Sequence, residues 1–314
     1  MKAIVVTEKA AGTAGMKLVE RPEPDGASSA SLSGANYGDV VVQVRASGFT
    51  RDELSWPSTW IDRLGRDRTP SIPGHEVAGV VTALSYGTTG LSVGQRVFGL
   101  TDWVRDGTLA EYVAVEARNL APLPGDVDFT VGAALVMSGL TAWQGLFEHG
   151  RLRVGQAVLV HGSAGVVGSM ATQLAREAGA YVIGTGRADS RQTALDFGAQ
   201  EFLDLDNDAL EDVGGVDLVF DVLGGDIAKR SAGVIRAGGT LVTITGPTEA
   251  RPNGGLTIDF VVVPDRAQLS ELVQRVRDGR LRTNIGYVAA LDDAVAAFNP
   301  PKPIKGKTMI CVRS

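Results

Sequence analysis

Cysteine is almost missing from this chain. Cys311 is the only one in 314 residues. A single thiol excludes an intrachain disulfide and any metal cluster built from several thiolates. Histidine is scarce, with three residues, and positive charge is not in excess: 30 Lys and Arg face 36 Asp and Glu, a formal net charge of −6. Nucleic-acid surfaces are usually strongly basic, and no polybasic run is present for anionic lipid, so neither a nucleic acid nor a membrane surface is an expected partner. Aromatic residues make up only 6%. No run of about 18 apolar residues is evident that would span a bilayer. The opening MKAIVVTEKAAG reads as a short strand, without the apolar core of a signal peptide. A soluble, cytoplasmic chain is the expectation.

What is present is glycine, 40 residues of it, within a composition that is 44% hydrophobic and 21% charged. A mean hydropathy of +0.08 is that of an ordinary globular protein. The length suits two domains, each with its own core.

The first 120 or so residues hold short β-rich runs separated by turn residues: KAIVV, DVVVQVRAS, EVAGVVTALS, QRVFGL and LAEYVAV. The alternation in VVVQVRA predicts a half-buried strand. The texture changes between Pro122 and Gly150, where Asp126 or Asp128 can cap a helix whose apolar residues recur through Leu146. From Gln156 onward, apolar runs alternate with helical ones, which predicts a parallel sheet covered on both faces. Ile258–Val263 is read as its last strand, AQLSELVQRVRDG and DDAVAAFN as helices, and KTMICVR as a strand returning to the first domain.

One stretch, VLVHGSAGVVGSMATQLAREAGAYVIGTGR, is a complete strand–turn–helix–strand unit from Val158 to Arg187. The dinucleotide pattern G-x-G-x-x-G would place glycine at 163, where Ser stands, with Gly165 and Gly168 in the other two places. A small residue at 163 permits the tight turn, Gly165 lets backbone approach a pyrophosphate, and Gly168 lets the helix pack on the strand. The expected phosphate contacts are Ser163, Ala164, Gly165, Val166, Val167 and Gly168, at a helix N-terminus whose N–H groups and dipole favour anions. The alternative is a plain strand–helix connection. The second strand ends in Gly184, Thr185 and Gly186 without the carboxylate that binds a ribose 2′-OH, and Arg187 and Arg191 follow. Two guanidiniums and no acid fit a 2′-phosphate, hence NADPH rather than NADH; the alternative is a pair of solvated arginines at a helix start.

The chain resembles the medium-chain dehydrogenase/reductase superfamily, and within it the zinc-independent quinone oxidoreductase branch. The motifs are ASGFTRDEL, IPGHEVAGVV, VGQRVFGL and GTLAEYVAV in the first half, then MSGLTAWQGL, VLVHGSAGVVGSMATQLAREAGA, VDLVFDVLGG and GGTLVTITG in the second. The resemblance implies an α/β fold: a GroES-like β-rich catalytic domain over 1–125 and 265–314, and a Rossmann doubly wound parallel-sheet domain over 126–264. It also implies a homodimer formed through paired sheet edges.

Against the zinc-dependent members, His75 matches a ligand histidine, but Thr50 stands at the first ligand cysteine and the remaining ligand falls near Met137. A hydroxyl and a thioether are poor zinc ligands beside thiolate and imidazole, so no metal is expected. His75 and Glu76 are then read as hydrogen-bonded structural residues. Without a Lewis acid, the surviving chemistry is hydride delivery from NADPH to an acceptor already electrophilic, a quinone or an activated C=C or C=O compound. By resemblance, FTRDE lines the cleft floor, with Thr50 as a hydrogen-bonding residue and Asp52 as a proton relay or a surface acid. Trp56 and Trp60 either stack on a flat acceptor or pack in the domain. Thr141, Val222, Leu223, Gly224 and Gly246 are expected near nicotinamide and ribose, and Lys305 and Lys307 near cofactor phosphate or in a solvated turn. Two other readings stay open: an enoyl reductase for a thioester-linked or biosynthetic intermediate, and a weakly catalytic NADPH-binding protein.

Overall fold

Runs of β-branched residues cut by Gly and Pro become the strands β1 (Lys2–Val5), β2 (Lys17–Glu20), β3 (Asp39–Gly48), β4 (Glu76–Leu84), β5 (Arg96–Leu100), β6 (Tyr112–Glu116) and β7 (Leu120–Pro122), with the one-turn helix α1 (Pro57–Trp60) between β3 and β4. The helix α2 (Phe129–Trp143) leads on to β8 (Ala157–Val160), α3 (Val166–Glu177), β9 (Tyr181–Gly186), α4 (Arg191–Asp196), β10 (Glu201–Asp204), β11 (Val216–Asp221), α5 (Gly225–Ser231), β12 (Ile235–Thr243) and β13 (Leu256–Asp259). The chain closes with α6 (Arg266–Arg277), β14 (Ile285–Ala290), α7 (Ala294–Phe298) and β15 (Lys307–Cys311). The structure is a computed structural model that describes residues 1–24 and 38–313.

Two units divide the chain: Met1–Met137, Pro264–Arg277 and Ile285–Ser314 form the first, Ser138–Val263 and Asp278–Asn284 the second. The division falls inside α2.

In the first unit, a seven-stranded sheet runs β14-β15-β3-β4-β5-β7, with β6 also paired to β3. The returning strand β15 lies antiparallel to β3, with Met309 opposite Gly48. Alternation had pointed to a half-buried β3, yet the strand is buried along most of its length. Val40, Val42 and Val44 join Val77, Val97 and Val113 in one core cluster, while Phe49, Ile4, Leu109 and Ile310 form another.

In the second unit, six parallel strands run β10-β9-β8-β11-β12-β13. Counted within the unit, this is the order 3-2-1-4-5-6 of a doubly wound dinucleotide-binding sheet. The order reverses between β8 and β11, so their carboxyl ends flank the crevice where such sheets bind ligands. The last strand starts earlier and stops sooner than the Ile258–Val263 expectation: it covers Leu256–Asp259, and Val261 and Val263 are exposed beyond it.

The helix that begins at Phe129 continues as a wider π-turn to His149. Asp128 Oδ1 accepts the Thr130 N–H at 2.7 Å, the capping role foreseen for it. Contrary to the sequence expectation, this 21-residue helix is long and apolar enough to cross a membrane, but 72% of its most apolar window is buried inside the protein. It behaves as a core helix.

Candidate functional site

At the switch point of the second unit, the chain leaves β8 through Gly162 at φ +58, a left-handed conformation that favours glycine. The tight turn is therefore made at 162, one residue before the position assigned to Ser163. Ser163 is fully buried: its N–H and hydroxyl both donate to Thr185 O, at 3.1 and 3.2 Å. Gly165 is the N-cap of α3, and its N–H donates to Gly162 O at 2.7 Å. The first bond of the helix runs from Ser169 N–H to Gly165 O, leaving the N–H groups of Val166, Val167 and Gly168 ahead of it. A Cβ on Gly168 would lie 2.1 Å from Gly162 O, so only glycine permits the helix to sit this close to the turn. Asn284 Nδ2 donates to Ala164 O at 2.9 Å and holds the turn from outside.

Facing this turn, the β11 end is fixed by Asp221. Its Oδ1 accepts the N–H groups of Leu223 and Gly224 at 3.0 Å, and its Oδ2 accepts the Thr243 hydroxyl at 2.8 Å. His161 sits between Thr185 Oγ1 (2.8 Å) and Ser231 Oγ (2.7 Å), and burial pushes its pKa down to about 4. It is a neutral structural imidazole. Past β9, the two arginines differ. Arg191 donates to Phe202 O at 3.0 Å and lies over the Phe202 ring, whereas the exposed Arg187 side chain has no partner among the described residues.

The first unit holds a buried polar floor. After β3 the turn Arg51–Ser55 brings Glu53 back inward, where Oε1 accepts the Thr50 N–H at 3.0 Å and Oε2 accepts the Gly74 N–H at 2.9 Å. His75 Nδ1 lies 2.9 Å from Thr101 Oγ1, and its Nε2 is 3.7 Å from Glu53 Oε2. Glu76 Oε1 accepts the Met137 N–H at 2.9 Å, and Oε2 pairs with Lys307 Nζ. The Glu76 side chain is 0% exposed and that of Lys307 6%. The Thr50 hydroxyl contacts Met137 Sδ at 3.9 Å. Half-buried Trp56 and Trp103 flank His75, with ring centroids 6.5 and 4.9 Å from it.

Burial sets the protonation of this floor. Desolvation pushes Glu53 up to about 8 against its two backbone N–H donors, and pushes His75 down to about 3. Folded Glu53 holds a proton that the unfolded carboxyl releases near 4.5, so its contribution falls as pH rises from 4.5 to about 8. His75 and His161 stay neutral when folded but gain protons below 6.5 when unfolded, so their contributions fall with acid. Between 4.5 and 6.5 two histidines outweigh one glutamate; above 6.5 the glutamate acts alone. Urea midpoints are expected to peak near pH 6.5 and decline toward pH 8 with a slope of up to about 1.4 kcal/mol per pH unit. Glu53→Gln should remove that decline while lowering the midpoint throughout, since an amide accepts only one of the two N–H groups. A decline that persists in Glu53→Gln would assign it elsewhere.

Residues 36–125 match the alcohol dehydrogenase GroES-like domain, and residues 166–270 the zinc-binding dehydrogenase family. The quinone oxidoreductase of Lama guanicoe is 30% identical over 228 residues, covering 69% of this chain and 68% of the relative. The chain belongs to the quinone oxidoreductase-like branch of the medium-chain dehydrogenase/reductase superfamily. Within the superfamily, the 2-methylene-furan-3-one reductase of Solanum lycopersicum is 32% identical over 253 residues, 76% of this chain and 63% of that protein. The spectinabilin polyketide synthase system protein NorB of Streptomyces orinoci is 34% identical over 264 residues, 78% of this chain; the chain spans only 12% of that protein's length. The quinone oxidoreductase structure from Coxiella burnetii superposes with a TM-score of 0.87 at 24% identity, covering 100% of this chain and 99% of the other, and it confirms the fold. The mycobacterial Rv1454c complexed with NADPH gives 0.82 at 25% identity, covering 99% and 100%.

The zinc that the second matched family is named for does not fit this superfamily member. Thr50, His75 and Met137 offer a hydroxyl, one imidazole whose Nδ1 is committed to Thr101, and a thioether. Among the described residues no group of three or more His, Cys, Asp or Glu is arranged to hold a metal ion. Of the site residues read from sequence, Thr50 lies at the polar floor and Asp52 on the exposed outer side of the same turn. Lys307 is not at a solvated turn; its ammonium is buried against Glu76. The Ser163–Gly168 turn and Val222 and Leu223 lie at the ends of β8 and β11. Thr141 is buried in α2, and Gly246, at φ +101, follows β12. Sequence reading missed Glu53 and Trp103. Glu53 had a signal, since Thr50-x-x-Glu53 has the spacing of a capping box.

Proposed function

We propose that the chain is a zinc-independent, NADPH-dependent reductase that delivers hydride to a quinone or another activated C=C or C=O acceptor. The observation that carries this reading is the donor set of the polar floor: the Thr50 hydroxyl rests on the Met137 thioether, and the neighbouring acid is neutralised by Lys307. Such a floor has no Lewis acid to stabilise an alkoxide, so an acceptor must spread the incoming charge by its own conjugation. The named activities of the Lama guanicoe and Solanum lycopersicum relatives agree with that class.

Bound NADPH supplies the hydride. The chain's part is to hold and orient it. The Gly162–Gly168 turn and the first N–H groups of α3 suit the pyrophosphate, and Gly165 leaves room for its approach. Thr141, the Asp221-fixed residues Val222 and Leu223, and Gly246 are the candidates for nicotinamide and ribose. Arg187, exposed and unpaired at the end of β9, is the candidate for the 2′-phosphate, with Arg191 as a second contact that must leave the Phe202 carbonyl. Arg187→Ala is therefore expected to raise KM for NADPH by about ten- to a hundredfold while leaving KM for NADH unchanged. Equal effects on both would remove Arg187 from that role. The Thr50 hydroxyl is the candidate to hydrogen-bond an acceptor carbonyl, and exposed Asp52 the candidate proton relay.

A second reading, enoyl reduction of a thioester-linked intermediate, is favoured by the match to 264 residues of NorB. NADPH oxidation by chelator-treated protein, with a quinone and an acyclic enone as parallel acceptors and NADH as control, tests the proposal. Turnover that survives chelation and prefers NADPH supports it. Binding without turnover of either acceptor moves the thioester reading or a non-catalytic role ahead. The outer side of β13, bordered by exposed Val261 and Val263, also supports a homodimer joined edge to edge.

A further inference from the structure

The two tryptophans of the 50–60 loop have different fates. Trp60 is fastened: its indole N–H donates to Leu54 O at 2.9 Å and its ring packs on a core cluster. Trp56 stands half-buried against Trp103, with ring centroids 5.2 Å apart and planes at 88°. Both cover His75, which is 2% exposed. Neither the Trp56 nor the Trp103 indole N–H has a hydrogen-bond partner among the described residues.

We propose that Trp56 and Trp103 form a specificity-determining aromatic platform that selects ring-bearing conjugated carbonyl acceptors over chain-like ones. Three features support it. Trp103 meets both Trp56 and His75 edge to face, and Trp56 lies nearly parallel to His75 at 20°, so a ligand meets a preorganised surface. Each ring is half-exposed, leaving indole area for a flat π-system to cover. Each keeps a donor that a carbonyl oxygen at the rim of a planar dicarbonyl can accept, whereas an aliphatic thioester covers little of the ring surface. His75 under the platform is neutral, because burial depresses its pKa, and so adds no charge that would repel or attract an ionised tail. The inference rests on the reductase reading above and names the acceptor class of that same site.

The test measures kcat/KM with NADPH for naphthoquinone and for an acyclic enone, in the parent, Trp56→Leu, Trp103→Leu and Trp56→Phe, with thermal melts reporting folding. Calorimetric titration of naphthoquinone into each protein without cofactor gives a second readout. Trp56→Leu and Trp103→Leu are expected to raise KM for naphthoquinone by about tenfold with kcat little changed, and to shift KM for the enone less than about twofold. Trp56→Phe, which keeps a ring and loses the donor, should recover part of the loss. Equal losses for both acceptors, or no loss for naphthoquinone, overturn the platform while leaving the reductase reading intact. Should the parent oxidise no NADPH with either acceptor, the reductase reading fails instead. The calorimetric comparison then still decides whether the tryptophans bind a planar ring, and unchanged affinity in Trp56→Leu and Trp103→Leu overturns it.

Discussion

Lys307→Met is expected to destabilise the protein by about 3–5 kcal/mol, because it leaves the fully buried Glu76 carboxylate without its cation. The pair is enclosed from every side on which relief could come. Glu76 begins β4 and reaches under Gly48, where any Cβ would sit 2.2 Å from Glu76 Oε2. Its other oxygen is already occupied by the Met137 N–H at 2.9 Å. Lys307 opens β15, whose register against β3 places its aliphatic stem beside Gly48, so its ammonium reaches Glu76. A carboxylate left there stays uncompensated or must draw in water, and both cost free energy. The cost belongs to the uncompensated charge and not to attraction within the pair, which separates this account from one in which Lys307 simply packs well. Glu76→Gln combined with Lys307→Met should therefore recover most of the loss, since Gln keeps an acceptor for the Met137 N–H and carries no charge. Urea titrations of the parent, both single variants and the double variant close the cycle. Additive losses in the double variant would assign the effect to packing.

That buried pair also marks the limit of what could be read in the sequence. Strand–helix alternation gave the parallel sheet, and glycine spacing gave the tight turn ahead of α3, because both depend on neighbours close in the chain. The same local reading misplaced the turn by one residue. Ser163 is small enough for either role, and only the pairing of β8 with β9 shows its hydroxyl tied to Thr185. Lys307 looked like a solvated or phosphate-facing lysine because its partner lies 231 positions away, on a strand it meets only through β3. Trp103 was passed over for a similar reason: nothing near it in sequence announces that it meets Trp56 and His75. The half-buried reading of β3 failed because alternation reports one covered face, while here Val40, Val42 and Val44 fill a core cluster and Val41, Ala46 and Ser47 are buried as well.

Gly168→Ala and Gly165→Ala are expected to give different signatures, and the difference tests the phosphate turn more sharply than either alone. A Cβ on Gly168 would lie 2.1 Å from Gly162 O, 2.6 Å from Gly162 C and 3.0 Å from Ser163 Cα, all backbone atoms of the turn. No side chain can swing aside there. The start of α3 must move off the turn, so the variant should lose about 1–3 kcal/mol of stability and at least about tenfold in dinucleotide affinity. At Gly165 the nearest atom to an added Cβ is Gly162 O at 3.0 Å, and φ is −79, which any residue adopts. The fold can absorb that methyl with a small shift. The methyl would, however, occupy the space through which phosphate oxygens approach the N–H groups of Val166 and Val167. Gly165→Ala should thus melt within a few degrees of the parent yet bind NADPH at least about tenfold more weakly. Titration of NADPH by fluorescence alongside thermal melts separates the cases. If Gly165→Ala binds NADPH like the parent, the turn is only a strand–helix connection, and the dinucleotide, if it binds, is held elsewhere.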